Sequence, residues 1–287
     1  EQKLAARHLR EDALVLYDLS SSWFEGSCCP LAKRGYSRDG RPGTLQVNYV
    51  LLTDARGCPV AVSVFEGNTA DSQTFVPAVA RVRERFGLAQ VVMVGDRGMV
   101  SQKAIDELRG QGGIDWITAL KSVSIRSLVE HGHLQLGLFD QRNLAEITSP
   151  DYPGERLVAC RNDALAKLRA HKRESLLQAT EALLAQVKAS VDAGRLAGQD
   201  KIGVQVGKII NRHKVAKHFE LSIGQASLSW ARRQDAIDAE AALDGLYVIR
   251  TSLSEQRMDA PECVRSYKAL ANVERAFRSL KTVDLKV

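Results

Sequence analysis

The chain has 287 residues, 45% hydrophobic and 26% charged, with 21 glycines and 7 prolines; this composition excludes collagen-like, low-complexity and disordered classes, and the length suffices for a core without disulfide staples. Five cysteines with neither CxxC nor Cys/His ligand spacing read as free thiols of a reducing compartment, no apolar run approaches the length of a membrane span and no signal-peptide core is present, so a cytoplasmic protein without membrane contact is expected. The net charge of +6 is compatible with nucleic acid and sits unevenly, since Glu155 to Asp235 holds 15 Lys/Arg against 8 Asp/Glu. The bland reading of such a segment is a solvated helix face. Because the chain opens on Glu1 and closes at Val287 within a helical pattern, a fragment of a longer protein is expected.

In chain order, Leu14 to Gly26 begins as an apolar β-type run and ends in Ser/Gly. LQVNYVLLTD (45–54) and CPVAVSVFEG (58–67) flank a short turn, a hairpin signal, so three strands in meander order are expected. Helical spacing follows from Ser72 to Phe86, with Asp71 as N-cap and Gly87 as stop. VVMVGD (91–96) reads as a strand buried on both faces, Ser101 to Leu108 as a capped helix, and DWITALK (115–121) as a fifth strand. HGHLQLGLFD (131–140) and GERLVAC look strand-like, Ala164 to Val191 is a long helix, and HFELSIGQASLSWARR alternates like strands. Asp244 to Ser252 is again a core-type strand, and Cys263 to about Asp284 is a helix with Pro261 at its start. The expected fold class is α/β: a ribonuclease H-like mixed sheet with flanking helices, in a discontinuous domain of residues 1–121 and 243–287. A basic, β-rich and helical insertion of residues 122–242 interrupts it.

Two aspartates stand where desolvation is costly: Asp18 inside the first apolar strand and Asp96 at the end of the buried run. Each is a site candidate, with turn capping as the alternative. On the last helix Tyr267, Glu274 and Lys281 recur every seven residues and share one stripe, beside an apolar stripe of Leu270, Val273, Phe277 and Leu280. The alternative for Glu274 is an exposed i,i+4 pair with Arg278, worth about 0.3 kcal/mol. Arg97 either meets DNA or balances the carboxylates. Trp230, before Arg232 and Arg233, either stacks on an unpaired base or fills a core. His131 and His133 have no evident ligand partner.

YDLSSSWFEG, FEGNTADSQT, VGDRGMVS, DGLYVIRTS and YKALANVERAFRSLK, in that order, resemble the DDE transposases of bacterial insertion sequences, in particular family four and its family sixteen-thirty-four relatives. Their signature of Tyr, two residues, Arg, three residues, Glu, six residues, Lys is met by Tyr267, Glu274 and Lys281, while Leu270 replaces the Arg. The resemblance implies that Asp18, Asp96 and Glu274 are catalytic metal ligands for two Mg2+ or Mn2+ ions, hard cations that suit carboxylate oxygens. It implies that Tyr267 and Lys281 contact the phosphate backbone, and Arg278 and Arg97 are further DNA-binding candidates. The implied activity is metal-dependent phosphodiester hydrolysis at element ends and strand transfer to target DNA. The implied partner is double-stranded DNA, bound by a homodimer assembled on it in the bacterial nucleoid. A related nuclease on the same fold and a non-catalytic DNA-binding remnant are the alternatives.

Overall fold

The structure is a computed structural model that describes residues 1–110, 112–135, 137, 139, 141 and 143–283. The chain forms two compact units: residues 1–160 with 247–287, and residues 161–246.

The first unit begins with α1 (Gln2–His8), β1 (Ala13–Trp23), the two-residue β2 (Lys33–Arg34), β3 (Leu45–Thr53) and β4 (Pro59–Glu66). Next come α2 (Phe75–Ala80), β5 (Val91–Gly95), α3 (Gln102–Arg109), β6 (Ile114–Ala119), α4 (Ser122–Glu130), β7 (Leu144–Ile147) and β8 (Arg156–Arg161). The second unit contains α5 (Asp163–Asp192), α6 (Gln199–Arg212), β9 (Phe219–Ile223), β10 (Leu228–Arg232) and α7 (Gln234–Ala241). β11 (Leu246–Thr251), α8 (Ala260–Lys268) and α9 (Leu270–Arg278) complete the first unit.

The first unit is built on a nine-stranded mixed sheet in the order β2-β3-β1-β5-β6-β11-β8-β7, with β4 also paired to β3. β4, β3 and β1 run antiparallel as the hairpin signal requires, whereas β5 is parallel to both β1 and β6. All five residues of β5 are buried, as expected of a central parallel strand covered on both faces. One face is covered through Phe75, Val79 and Val82 with Ile105 and Leu108 of α3; the other through Cys263, Val264, Val273 and Phe277 of α8 and α9. Ser101 caps α3 by accepting the Ala104 N–H, and Gly87, at φ +70°, ends the preceding helical segment.

Several expectations are corrected. Asp71 does not cap a helix over 72–86: it opens a 3-10 turn (Asp71–Gln73) ahead of the short α2, which passes into a π-helical turn at 81–85, and its carboxylate binds Arg38 instead. The sheet gains strands that the meander count omitted, and the division between units falls at 160/161 and 246/247 rather than at 121/122 and 242/243. The reason is a buried ion cluster. Glu155, whose side chain is fully buried, accepts from Arg250 of β11, from Arg109 of α3 at 2.7 Å and from the Trp116 indole of β6 at 3.4 Å. A carboxylate in that position is tolerated only when so paired. It holds β7 and β8 in the sheet.

Residues 122–130 form a helix, and 131–134 are the turn after it; positions 136, 138 and 140 of the expected strand lie outside the described residues. The second unit is mainly helical rather than β-rich, with one hairpin, β9–β10, beside α5 and α6. Leu177, Leu184 and Val191 recur every seven residues along α5 and are buried, as are Ile202, Val206 and Ile210 along α6. Trp230 packs between the two apolar clusters of this unit, which favours its core reading. Arg232 is bidentate to both Glu174 and Glu181 and so clamps the hairpin onto α5. Within 161–246 the balance is 14 Lys/Arg against 10 Asp/Glu, milder than the sequence segment suggested because acidic residues of 235–244 belong to the same unit. All five cysteines are free thiols, and no described helix is long and apolar enough to cross a membrane.

Candidate active site

Asp18 and Asp96 are neighbours because of strand register. β1 and β5 pair in parallel, about 4.8 Å apart, with Tyr17 opposite Gly95, and an aspartate follows directly on each: Asp18 within β1 and Asp96 just past the end of β5. Glu274 comes from α9, which packs Val273 and Phe277 into the sheet while leaving Glu274 exposed on its other face. Asp18 and Glu274 line one cavity of about 310 Å3 together with Arg38, Asp39, Arg278 and Lys281. The electrostatics place all three carboxylates in one field. Burial pushes the Asp18 carboxyl up to about 6 against the opposing pull of the Leu19 N–H, and the negative charges of Glu274 and Asp96 raise it further while Arg38 lowers it. The three do not close tightly, since they are not among the described groups whose ligand atoms all lie within 4.8 Å of one another. An open cluster of mutually repelling oxygen donors fits hard divalent cations better than a zinc-type site.

Tyr267 of α8 bonds one of these carboxylates, and Lys281, beyond the end of α9, lines the cavity. The Tyr267 hydroxyl donates to Asp96 Oδ1 at 2.9 Å, the same oxygen that accepts the Arg97 N–H at 2.7 Å. Burial and the neighbouring Asp96 carboxylate raise the Tyr267 phenol above its ordinary range, so it remains a donor. The Lys281 ammonium donates to Asp39 Oδ1 at 2.8 Å and to the Ser21 carbonyl, and lies 5.7 Å from the Tyr49 ring centre. Arg97 is exposed beside Asp96, and Arg278 lines the cavity next to Glu274. Leu270 packs at the edge of the apolar cluster under α9.

Arg38 and Asp39 were not candidates in the sequence. They lie in irregular chain between β2 and β3; Arg38 donates its N–H to Ser21 Oγ at 3.1 Å and ion-pairs Asp71, and Asp39 holds Lys281. No local pattern announces them, because only the fold of 24–44 over the end of β1 brings them there. His131 sits in the turn after α4, bonded to Ser127 Oγ at 3.1 Å, with the His133 ring centre 6.3 Å away.

The chain matches the family described as Transposase DDE domain over residues 22–286 and belongs to that family. The match includes Asp96 and Glu274 and begins four residues after Asp18. No curated protein matches. Among solved structures, a piggyBac transposase synaptic complex with hairpin DNA is similar at 11% identity and a TM-score of 0.35, over 53% of this chain and 31% of that one. A Mos1 transposase paired-end complex with left transposon end is similar at 14% identity and 0.25, over 44% and 40%. The chain thus spans 31% and 40% of the length of these two structures.

Proposed function

We propose that this chain is the catalytic portion of a DNA transposase of an insertion sequence, of the family-four and sixteen-thirty-four type, on a ribonuclease H-like fold. The observation that carries the proposal is that Asp18 and Asp96 directly follow the paired Tyr17 and Gly95 while Asp18 and Glu274 line one cavity. The antiparallel β4–β3–β1 group continued by parallel β5 and β6 supports the fold assignment. In this reading Asp18, Asp96 and Glu274 hold two Mg2+ or Mn2+ ions, which when bound supply activation of the attacking oxygen and stabilisation of the leaving 3′ oxygen. Tyr267 fixes the Asp96 carboxylate by its hydrogen bond. Lys281, Arg278 and Arg97 supply cationic contacts for DNA phosphates, Lys281 exchanging Asp39 for phosphate. Double-stranded DNA at the element ends and the target is the substrate, and a homodimer assembles on it.

The test uses the complete protein on its own element ends. Glu274→Gln keeps the shape and removes the charge, so magnesium-dependent strand cleavage should vanish while DNA binding persists. Cleavage at the wild-type rate by Glu274→Gln would remove this catalytic centre. A second reading rests on Leu270, which packs against the edge of the apolar cluster where the signature has a cation. A DNA-binding remnant would bind DNA and show no cleavage in the wild type either.

A further inference from the structure

Away from the carboxylate cluster, one group among the described residues has three potential metal ligands with ligand atoms all within 4.8 Å: His8, Asp54 and Cys58. We propose that these residues form a zinc-binding site that ties α1 to the β3–β4 turn, independent of the transposase reading. The turn prepares the carboxylate. Asp54 Oδ1 accepts the N–H groups of Arg56 and Cys58, both at 2.9 Å, and this fixes Oδ2 at 3.3 Å from His8 Nδ1. His8 is held there because α1 anchors its C-terminal end through the buried Leu9.

A cation already occupies the gap. The Arg56 guanidinium places Nη2 2.8 Å from Asp54 Oδ2 and 3.2 Å from His8 Nδ1. Nδ1 therefore faces one group that only accepts, Asp54 Oδ2, and one that only donates, Arg56 Nη2; in the tautomer protonated at Nε2 its lone pair is available to a metal. An imidazole nitrogen, a carboxylate oxygen and a cysteine sulfur then face one another, with the Arg56 guanidinium bonded to the first two. The Arg56 side chain is 73% exposed and can swing out. Nitrogen, oxygen and sulfur donors in this number suit zinc, with water as the fourth ligand, and the thiol disfavours magnesium.

The experiment titrates the full chain, reduced and freed of metal with a chelator, with Co2+ and then Zn2+. One equivalent of Co2+ should produce a thiolate-to-cobalt charge-transfer band that Zn2+ abolishes. Cys58→Ser should remove the band, and His8→Gln should weaken Zn2+ binding at least about tenfold, in the range seen when a metal's surroundings are disturbed. Arg56→Ala, which removes the competing cation, should bind at least as tightly as the wild type. Replacing the pair Cys28 and Cys29 by serine should leave the band unchanged. A wild type with no thiolate band, a band that survives Cys58→Ser, or unweakened binding in His8→Gln overturns the site. None of these readouts depends on DNA cleavage, so failure here and failure of the transposase reading are distinguishable.

Discussion

Asp18 is a part-buried carboxylate that also faces the negative charges of Glu274 and Asp96. Its folded-state carboxyl titrates near 6 against 3.8 for the free group, so between those values the native state binds more protons than the unfolded chain. Stability from this group is therefore full below about pH 4 and is lost as pH rises through 6, on the order of 2–3 kcal/mol. Asp18→Asn should accordingly be more stable than the wild type at pH 7 in chelator, with the difference vanishing near pH 4; urea melts across that range measure it. An equal gain at both pH values would contradict the strained carboxylate. Magnesium should raise the melting temperature of the wild type and not of Asp18→Asn, because mass action stabilises only the protein that binds the ion. Tyr267→Phe removes one hydrogen bond to Asp96 and should cost about 1 kcal/mol or less of stability, while the magnesium concentration needed for half-maximal cleavage rises.

Two contacts between elements carry more weight than any helix propensity. The buried Glu155–Arg250 pair joins the start of β8 to β11, and Glu155→Ala leaves a buried guanidinium with its principal partner gone; a loss of about 3–5 kcal/mol in chemical denaturation is expected. The β3–β4 turn supports α9: Asn272 donates to the Ala55 carbonyl at 3.0 Å, and a Cβ at Gly57, which has φ +86°, would sit 2.8 Å from Asn272 atoms. Gly57→Ala should therefore destabilise by about 1–3 kcal/mol and displace the start of the helix that bears Glu274. A melt unchanged in that variant would mean the turn and helix do not press on each other. The strands of this region were legible, since 45–53 and 59–66 alternate and are split by a turn. The support of α9 by that turn was not, because Gly57 and Asn272 are joined only by the fold.

At the level of the whole chain, two units with separate cores imply separate responses to mutation. Leu184→Ala in α5 deletes a fully buried side chain and should cost about 2–5 kcal/mol, read by hydrogen exchange as faster opening across 163–241 with β1 and β5 unaffected. DNA binding should fall steeply with salt, with a logarithmic slope of about −0.9 for each phosphate neutralised. A flat salt response would argue against the cationic contacts proposed for Lys281, Arg278 and Arg97.

The sequence by itself determined β1, β3, β4, β6 and β11 of the first unit, the buried β5, the capped α3 and the apolar stripe of α9, because each is a local pattern whose period matches one backbone geometry. It also singled out Asp18 and Asp96, since charge inside or at the end of an apolar run stands out without knowledge of the fold, whereas Glu274 stood out only through the resemblance to DDE transposases. Only the tertiary structure decided that Arg38 and Asp39 border the same cavity, that β7 and β8 join the sheet, and that His8 faces Asp54 and Cys58. Those relations join residues tens of positions apart in irregular or weakly patterned chain. Their energies come from desolvated charges and shared hydrogen bonds that exist only after the sheet has closed around them.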